Sequence, residues 1–289
     1  MRGGNFCCLS LLTLLTVAGG PAARASQEAS KATVSFHLYN DYLIVAQGSA
    51  GPLKGLNFLV DTGSSPSVLD RRLARRLALD ELPASAVFVS GRVPAGMAIV
   101  PELEFGPIRR RSLRILVEDL SFLDRALPLH IDAVIGLDVL GTSAFEIDYT
   151  RGRIHFGSFP PLANLLPLRI KAGLPIVDAE LNHVAVHLLM DTGAYALLLI
   201  EPGPAAPVLP TEVDAVLGSS SLLVGEIQGK RVWLHNLRLG EKEFALKPAF
   251  VVHDPGYEER NFDGVISPAA LGMGKVAIDV ERGVVEFSR

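Results

Sequence analysis

Apolar residues along this chain come in short bursts, each bounded by Gly, Pro, Asp or Asn. Leu43-Ile44-Val45-Ala46, Leu56-Asn57-Phe58-Leu59-Val60, Val186-His187-Leu188-Leu189-Met190 and Leu197-Leu198-Leu199-Ile200 are examples. Runs of this length, rich in branched side chains and closed by turn residues, predict buried β-strands. One stretch reads differently. Over 66–79, the residues Val68, Leu69, Leu73, Leu77 and Leu79 fall roughly on one face, which predicts a helix. Arg71, Arg72, Arg75 and Arg76 are then its solvated side rather than a basic binding patch. Elsewhere helical patterning is scarce, so the expected class is all-β.

The pattern is laid down twice. Asp61-Thr62-Gly63 recurs as Asp191-Thr192-Gly193, each at the end of an apolar burst and each preceded by a second burst. Further on, Glu104-Phe105-Gly106 corresponds to Arg238-Leu239-Gly240. Ala133-Val134-Ile135-Gly136 corresponds to Gly264-Val265-Ile266-Ser267, ending 75 residues after the first Asp and 76 after the second. Asp148 and Asp279 follow at 87 and 88, and Arg151-Gly152 and Arg282-Gly283 supply hairpin turns in which glycine takes up positive φ. Four landmarks in one order at one spacing predict two homologous lobes, 32–159 and 166–289, joined by the Pro-rich linker 160–165.

Composition narrows the setting. A hydrophobic fraction of 49% supports a packed core and a charged fraction of 20% argues against disorder. The segment 1–25 reads as a signal peptide: Arg2, an apolar stretch from Phe6 to Ala18, then Ala23-Arg24-Ala25 as a small-x-small cleavage site. Its apolar stretch is short for a membrane span, which sets cleavage before Ser26 against an uncleaved anchor. Cleavage leaves an exported protein, periplasmic or secreted, with no stable membrane anchor. It also removes Cys7 and Cys8, the only cysteines, and with them any disulfide or thiolate metal site. Loss of Arg2 and Arg24 takes the formal net charge from −4 to −6, which gives no reason to expect nucleic acid. No metal or other cofactor is expected. His183 and His187 lie four apart, but in a strand-like stretch without the helical motif that would turn them on one metal. Ser219, Ser220 and Ser221 lack the glycine-flanked setting of a nucleophilic serine.

The two Asp-Thr-Gly motifs, each with its later apolar-apolar-small triplet, make the sequence resemble the aspartic peptidase superfamily. It resembles most the compact bacterial members with two retropepsin-like lobes fused in one chain. The resemblance implies two acid-protease barrels related by a pseudo-two-fold axis. It implies Asp61 and Asp191 as a catalytic pair acting on a peptide or protein substrate, in a monomer. Thr62 and Thr192 would lock the two loops across the interface. Gly63 and Gly193 would let backbone approach the carboxylates. Ile135-Gly136 and Ile266-Ser267 would back the loops. Ser64 and Ala194 follow the motifs, and a hydroxyl from Ser64 on Asp61 would make Asp61 the more acidic member.

Substrate would lie under a flap in each lobe. Hairpins are expected over 87–100 and 222–234, with Gly91 and Gly225 at equivalent places and tips near Ala95-Gly96 and Gln228-Gly229. Neither contains a tyrosine, and Trp233, the only tryptophan, fits either the cleft or the core. Ser267 replaces the glycine usual in the second triplet, a change that a small side chain is expected to tolerate. A proline-rich loop over 201–210 is a second departure. The alternative function is a degenerate relative that binds extended peptides by strand addition without cutting them.

Overall fold

The computed structural model describes residues 32–88, 91–125, 127–201, 203, 217–222, 225–253 and 262–289. The expected signal segment 1–25 and most of the loop 201–210 lie outside the described residues. Strand accounts for 59% of the structure and helix for 9%, so the chain is all-β as its apolar bursts predict.

In the first half, β1 (Thr33–Tyr39), β2 (Leu43–Ala50) and β3 (Leu53–Val60) form an antiparallel meander. β3 then pairs in parallel with β8 (Ala133–Ile135), β8 antiparallel with β4 (Val68–Asp70), and β4 in parallel with β7 (Ile108–Glu118). β7 is folded against β6 (Gly91–Phe105), which also carries β5 (Leu82–Phe88). A strand flanked on both sides by others buries both its faces, and Phe58, Leu59 and Val60 of β3 are fully enclosed.

The second half repeats these pairings. β11 (Asn164–Lys171), β12 (Leu174–Leu181) and β13 (Val184–Met190) form the meander. β13 runs parallel to β18 (Gly264–Ile266), which pairs antiparallel with β14 (Leu197–Glu201). β14 runs parallel to β17 (Lys242–His253), which folds against β16 (Gly225–Leu239), and β16 carries β15 (Leu217–Leu222).

One antiparallel sheet spans both halves. Its order is β1, β10 (Arg153–Phe156), β9 (Phe145–Asp148), β19 (Lys275–Asp279), β20 (Val284–Ser288), β11, with β9 and β19 meeting at the centre. The hairpins inside it close as read from the sequence: Gly152 and Gly283 have φ of 61° and 65°. Asp148 and Asp279 accept from the amides of Arg151 and Arg282, both at 2.9 Å. Lys275 ties the halves further, bonding Glu146 at 3.0 Å and lying 3.2 Å from Asp148. Phe58, Phe105, Phe145, Phe244 and Phe287 are among the largest fully buried side chains, each contributing roughly 1.5–3 kcal/mol by leaving water.

The helix expected over 66–79 is mostly something else. Val68-Leu69-Asp70 is β4, and only α1 (Arg71–Arg76) is helical. Val68 and Leu69 are drawn into the sheet between β7 and β8, where both are buried. Buried Asp70 then caps the helix, accepting from the Arg72 amide at 2.8 Å and the Leu120 amide at 3.0 Å. The arginines lie outward as expected, Arg71 pairing with Glu81 at 3.2 Å and Arg72 with Asp124 at 3.4 Å. Two further short helices, α2 (Leu137–Leu140) and α3 (Pro268–Leu271), follow β8 and β18.

Candidate active site

Each Asp-Thr-Gly begins where a buried strand ends. The Asp61 amide donates to the Ile135 carbonyl and the Asp191 amide to the Ile266 carbonyl, both at 3.0 Å, so β8 and β18 hold the start of each loop. Each Asp then folds its own loop. Oδ1 of Asp61 accepts from the Gly63 amide at 2.8 Å and Oδ1 of Asp191 from the Gly193 amide at 2.6 Å.

The loops grip each other through their threonines. Thr62 Oγ1 donates to the Met190 carbonyl at 2.7 Å and accepts from the Thr192 amide at 3.1 Å. Thr192 Oγ1 donates to the Val60 carbonyl at 3.1 Å and accepts from the Thr62 amide at 3.0 Å. Both threonines are buried, so these polar groups are satisfied by the opposite half rather than by water.

The glycines bring the carboxyls in. A Cβ on Gly63 would lie 2.5 Å from Cγ of Asp191, and one on Gly193 would lie 2.8 Å from Cγ of Asp61. Neither glycine has positive φ, so it is space that each provides. Asp61 and Asp191 lie close enough for each carboxyl to act on the other; Asp61 is buried and Asp191 partly open.

Burial pushes the Asp61 carboxyl well above its ordinary range. The charge and the carboxyl of Asp191 add to this, against the amides of Gly63 and Gly193. Burial raises Asp191 too, but the carboxyl of Asp61 and the amides of Gly193 and Ala194 act the other way. The two carboxyls therefore titrate as one coupled unit, and the proton they share belongs to the pair. The Ser64 hydroxyl does not reach Asp61, where the resemblance implied it would favour the ionised form. The Ser64 hydroxyl donates instead to the Pro66 carbonyl at 3.2 Å, and its amide to the backbone carbonyl of Asp61.

The backing triplets differ between the halves. A Cβ on Gly136 would fall 2.2 Å from the Ser64 carbonyl oxygen, which accepts from the Leu137 amide at 3.0 Å. Ser67 and Asp138, which the sequence reading missed, brace this loop. Ser67 Oγ donates to Asp138 at 2.6 Å and accepts from the Gly136 amide at 2.8 Å. At the matching places of the second half stand Leu197 and Ala269, and Pro268 has no amide to offer. Ser267 is buried and caps α3, its Oγ accepting from the Ala270 amide at 3.3 Å. Its ψ of 123° against −174° at Gly136 shows that the two backbones turn differently.

The hairpins exist, with their tips displaced from the expected places. Phe88 pairs with Gly91 and Leu222 with Gly225, so the two arms of each hairpin already face each other at these glycines, and residues 89–90 and 223–224 between them lie outside the described residues. Gly96 sits within an arm opposite Pro83, and Gly229 within an arm opposite Gly218 and Val252. The error has a physical cause: glycine marks close approach as well as turns. A Cβ on Gly96 would meet the Glu81 side chain at 2.1 Å, and one on Gly229 the Val251 carbonyl at 2.7 Å. Trp233 is 42% exposed, which excludes the core alternative. His183 lies in a turn beside Glu180, and His187 pairs with Asp178 at 2.8 Å. Among the described residues no group of three or more His, Cys, Asp or Glu is placed to hold a metal ion.

Aromatic rings neighbour the pair on one side. Tyr42, Tyr195 and Phe250 stand in sequence with centroids 5.9 Å apart at each step. Burial, then Tyr195, then the charge of Asp191 raise the phenol of Tyr42. Burial and the charge of Asp191 raise that of Tyr149, whose hydroxyl is enclosed.

No curated protein sequence matches the chain. Residues 48–139, from within β2 to within α2 and including the first Asp loop with Ile135-Gly136, match the family model described as aspartyl protease. That part of the chain is thus similar to aspartyl proteases.

Proposed function

We propose that the chain is an aspartic endopeptidase of two homologous lobes, 32–159 and 166–289, joined by 160–165 and related by a pseudo-two-fold axis. The observation that carries this reading is the interlocked pair of loops. Two glycines, each seated on the other loop's carboxyl, and two reciprocal threonines set Asp61 and Asp191 side by side. The repeated strand pairings support the two-lobed description, and a central sheet closed within one chain suits a monomer.

Two carboxyls in contact cannot both ionise cheaply, so they share one proton, as the aspartic protease dyad does in general. The ionised member takes a proton from a water held between the two. The protonated member donates to the scissile carbonyl oxygen as that water's oxygen bonds to carbon. The resulting gem-diol collapses when the nitrogen takes a proton and the C–N bond breaks, and no covalent enzyme intermediate forms. Incubating the protein with a randomised octapeptide library from acid to neutral pH, then sequencing the products, tests this. Internal cleavage that fades as the pair loses its shared proton is expected; intact peptides at every pH would refute the enzyme reading.

The binding-only alternative has one observation in its favour. The second loop lacks a counterpart of the Ser67–Asp138 brace, so the Asp191 loop is held by fewer side-chain bonds than the Asp61 loop. In that case the library is retained but uncut. We further propose export with cleavage after Ala25. Exported protein beginning at Met1 rather than Ser26 would count against it.

A stability prediction follows from the same carboxyls. Both are raised above 3.8 in the folded protein. Below that pH both states are protonated and stability is full. As pH rises, the unfolded chain ionises first while the folded pair holds its proton, so stability falls until the folded pair titrates. Each unit of raised pKa costs about 1.4 kcal/mol across this window. Thermal melts against pH should show this decline in the parent and a clearly flatter course in Asp61→Asn.

A further inference from the structure

The two halves match strand for strand, yet the faces they present beside the pair differ in chemistry. Tyr42 immediately precedes β2, as Gly173 precedes β12. Each meets the residue four places beyond the opposite motif Asp. Tyr42 stacks on Tyr195, while Gly173 packs so closely on Ser65 that a Cβ would lie 2.2 Å from the hydroxyl.

The difference continues outward. Leu198 pairs with Phe250 as Val68 pairs with Leu116. Phe250 pairs with Arg231 and Pro248 with Trp233 across β16 and β17. Alternation places Arg231, Trp233, Pro248 and Phe250 on one face, because Val232, Leu234, Ala249 and Val251 are buried on the other. The Arg231 guanidinium lies 5.5 Å from the Trp233 ring centroid. The equivalent face of the first half holds Leu116, Met97, Ile99 and Arg114, none of them aromatic.

We propose that Tyr42, Tyr195, Phe250 and Trp233 form a one-sided aromatic track that selects peptide substrates with an aromatic side chain on one side of the scissile bond only. The track begins at Tyr195, four residues from Asp191, and runs along the second half. Planar rings stack on it, and the equivalent strands of the first half offer no ring in its place. Stacking adds selectivity beyond simple apolar burial, about tenfold for a well-placed ring. The inference rests on the peptidase reading for the words "scissile bond"; the track itself needs only that peptides bind.

The test uses the randomised octapeptide library in two arms. The first sequences cleavage products of the parent, of Tyr195→Leu and of Trp233→Ala. The second sequences peptides retained on the immobilised Asp61→Asn protein, alone and combined with the same two changes. Aromatic residues are expected to be enriched about tenfold on one side of the cut, and at one position among retained peptides. Tyr195→Leu should remove most of that enrichment and Tyr195→Phe should preserve it. Trp233→Ala alters an exposed side chain, so its loss of selectivity cannot be attributed to misfolding. Equal aromatic enrichment on both sides, none at all, or enrichment unchanged by both substitutions overturns the track. If nothing is cut, the peptidase reading fails, and the retained peptides still decide the track by the same criteria; absence of retention as well overturns both.

Discussion

Exchanging Asp61 or Asp191 for Asn is expected to lower kcat/KM for peptide cleavage by about 10⁴-fold, and exchanging both to lower it little further. The reason is that the pair works as one unit. One carboxyl must hold the shared proton while the other accepts from water, and an amide can do neither. Removing one member therefore removes the reaction. Asn is nearly isosteric with Asp, and its amide can still accept from Gly63 or Gly193, so each loop should keep its turn. The threonine grip, which involves neither carboxyl, should persist. Each single variant is expected to melt at or above the parent's temperature near neutral pH, because a buried ionisable group has become neutral. A hydroxyl-bearing peptide analogue that mimics the gem-diol should bind the parent at least about a hundredfold more tightly than either variant. Full activity in one single variant, or additive losses in the double variant, would sink the assignment of a dyad. Affinity for ordinary peptides unchanged by either substitution, with no cleavage by the parent, would instead support the binding-only alternative.

Much of this is legible in the sequence, because repetition turns weak signals into strong ones. One Asp-Thr-Gly is a common turn; two at the ends of buried strands, each followed by a matched triplet, predict the loop pair that Asp61 and Asp191 form. The all-β class follows from apolar runs too short for helices. The reading fails where local pattern and tertiary context disagree. Val68 and Leu69 fit a helical face, yet the gap between β7 and β8 claims them as a strand. Gly96 and Gly229 read as turns, but they mark places where neighbouring chains approach. Resemblance assigns the Ser64 hydroxyl to Asp61, whereas it serves the Pro66 carbonyl. Ser67, Asp138, Tyr42 and Tyr195 carry a signal that comparison of the halves contains. Ser67 corresponds to Leu197, Ser65 to Tyr195 and Gly173 to Tyr42 at matched positions. Differences between repeats, as well as their identities, point to the site.

Gly63→Ala is expected to cost at least about a hundredfold in activity and about 1–3 kcal/mol in stability. Its Cβ would lie 2.5 Å from both Cγ and Oδ2 of Asp191, closer than carbon and oxygen can approach without movement. The carboxyl cannot swing freely, since its Oδ1 is held by the Gly193 amide at 2.6 Å. Nor can the loop of Gly63 retreat, because Thr62 is bonded to Met190 and Thr192 on the opposite half. Strain must therefore be taken up by parting the two carboxyls, and a displacement of about 1 Å is enough to lose about a hundredfold in rate. Gly193→Ala presses on Asp61 in the same way, at 2.8 Å from Cγ, and should be the milder change. A double-mutant cycle separates this cause from general damage. In an Asp191→Ala background the atoms that Gly63→Ala would strike are gone, so the stability cost of the glycine change should shrink to within about 0.5 kcal/mol of zero. Denaturant midpoints of the four proteins measure this. A cost in that background as large as in the parent would show that Gly63 is needed for its own backbone, and that the carboxyls do not meet as the glycine contacts imply.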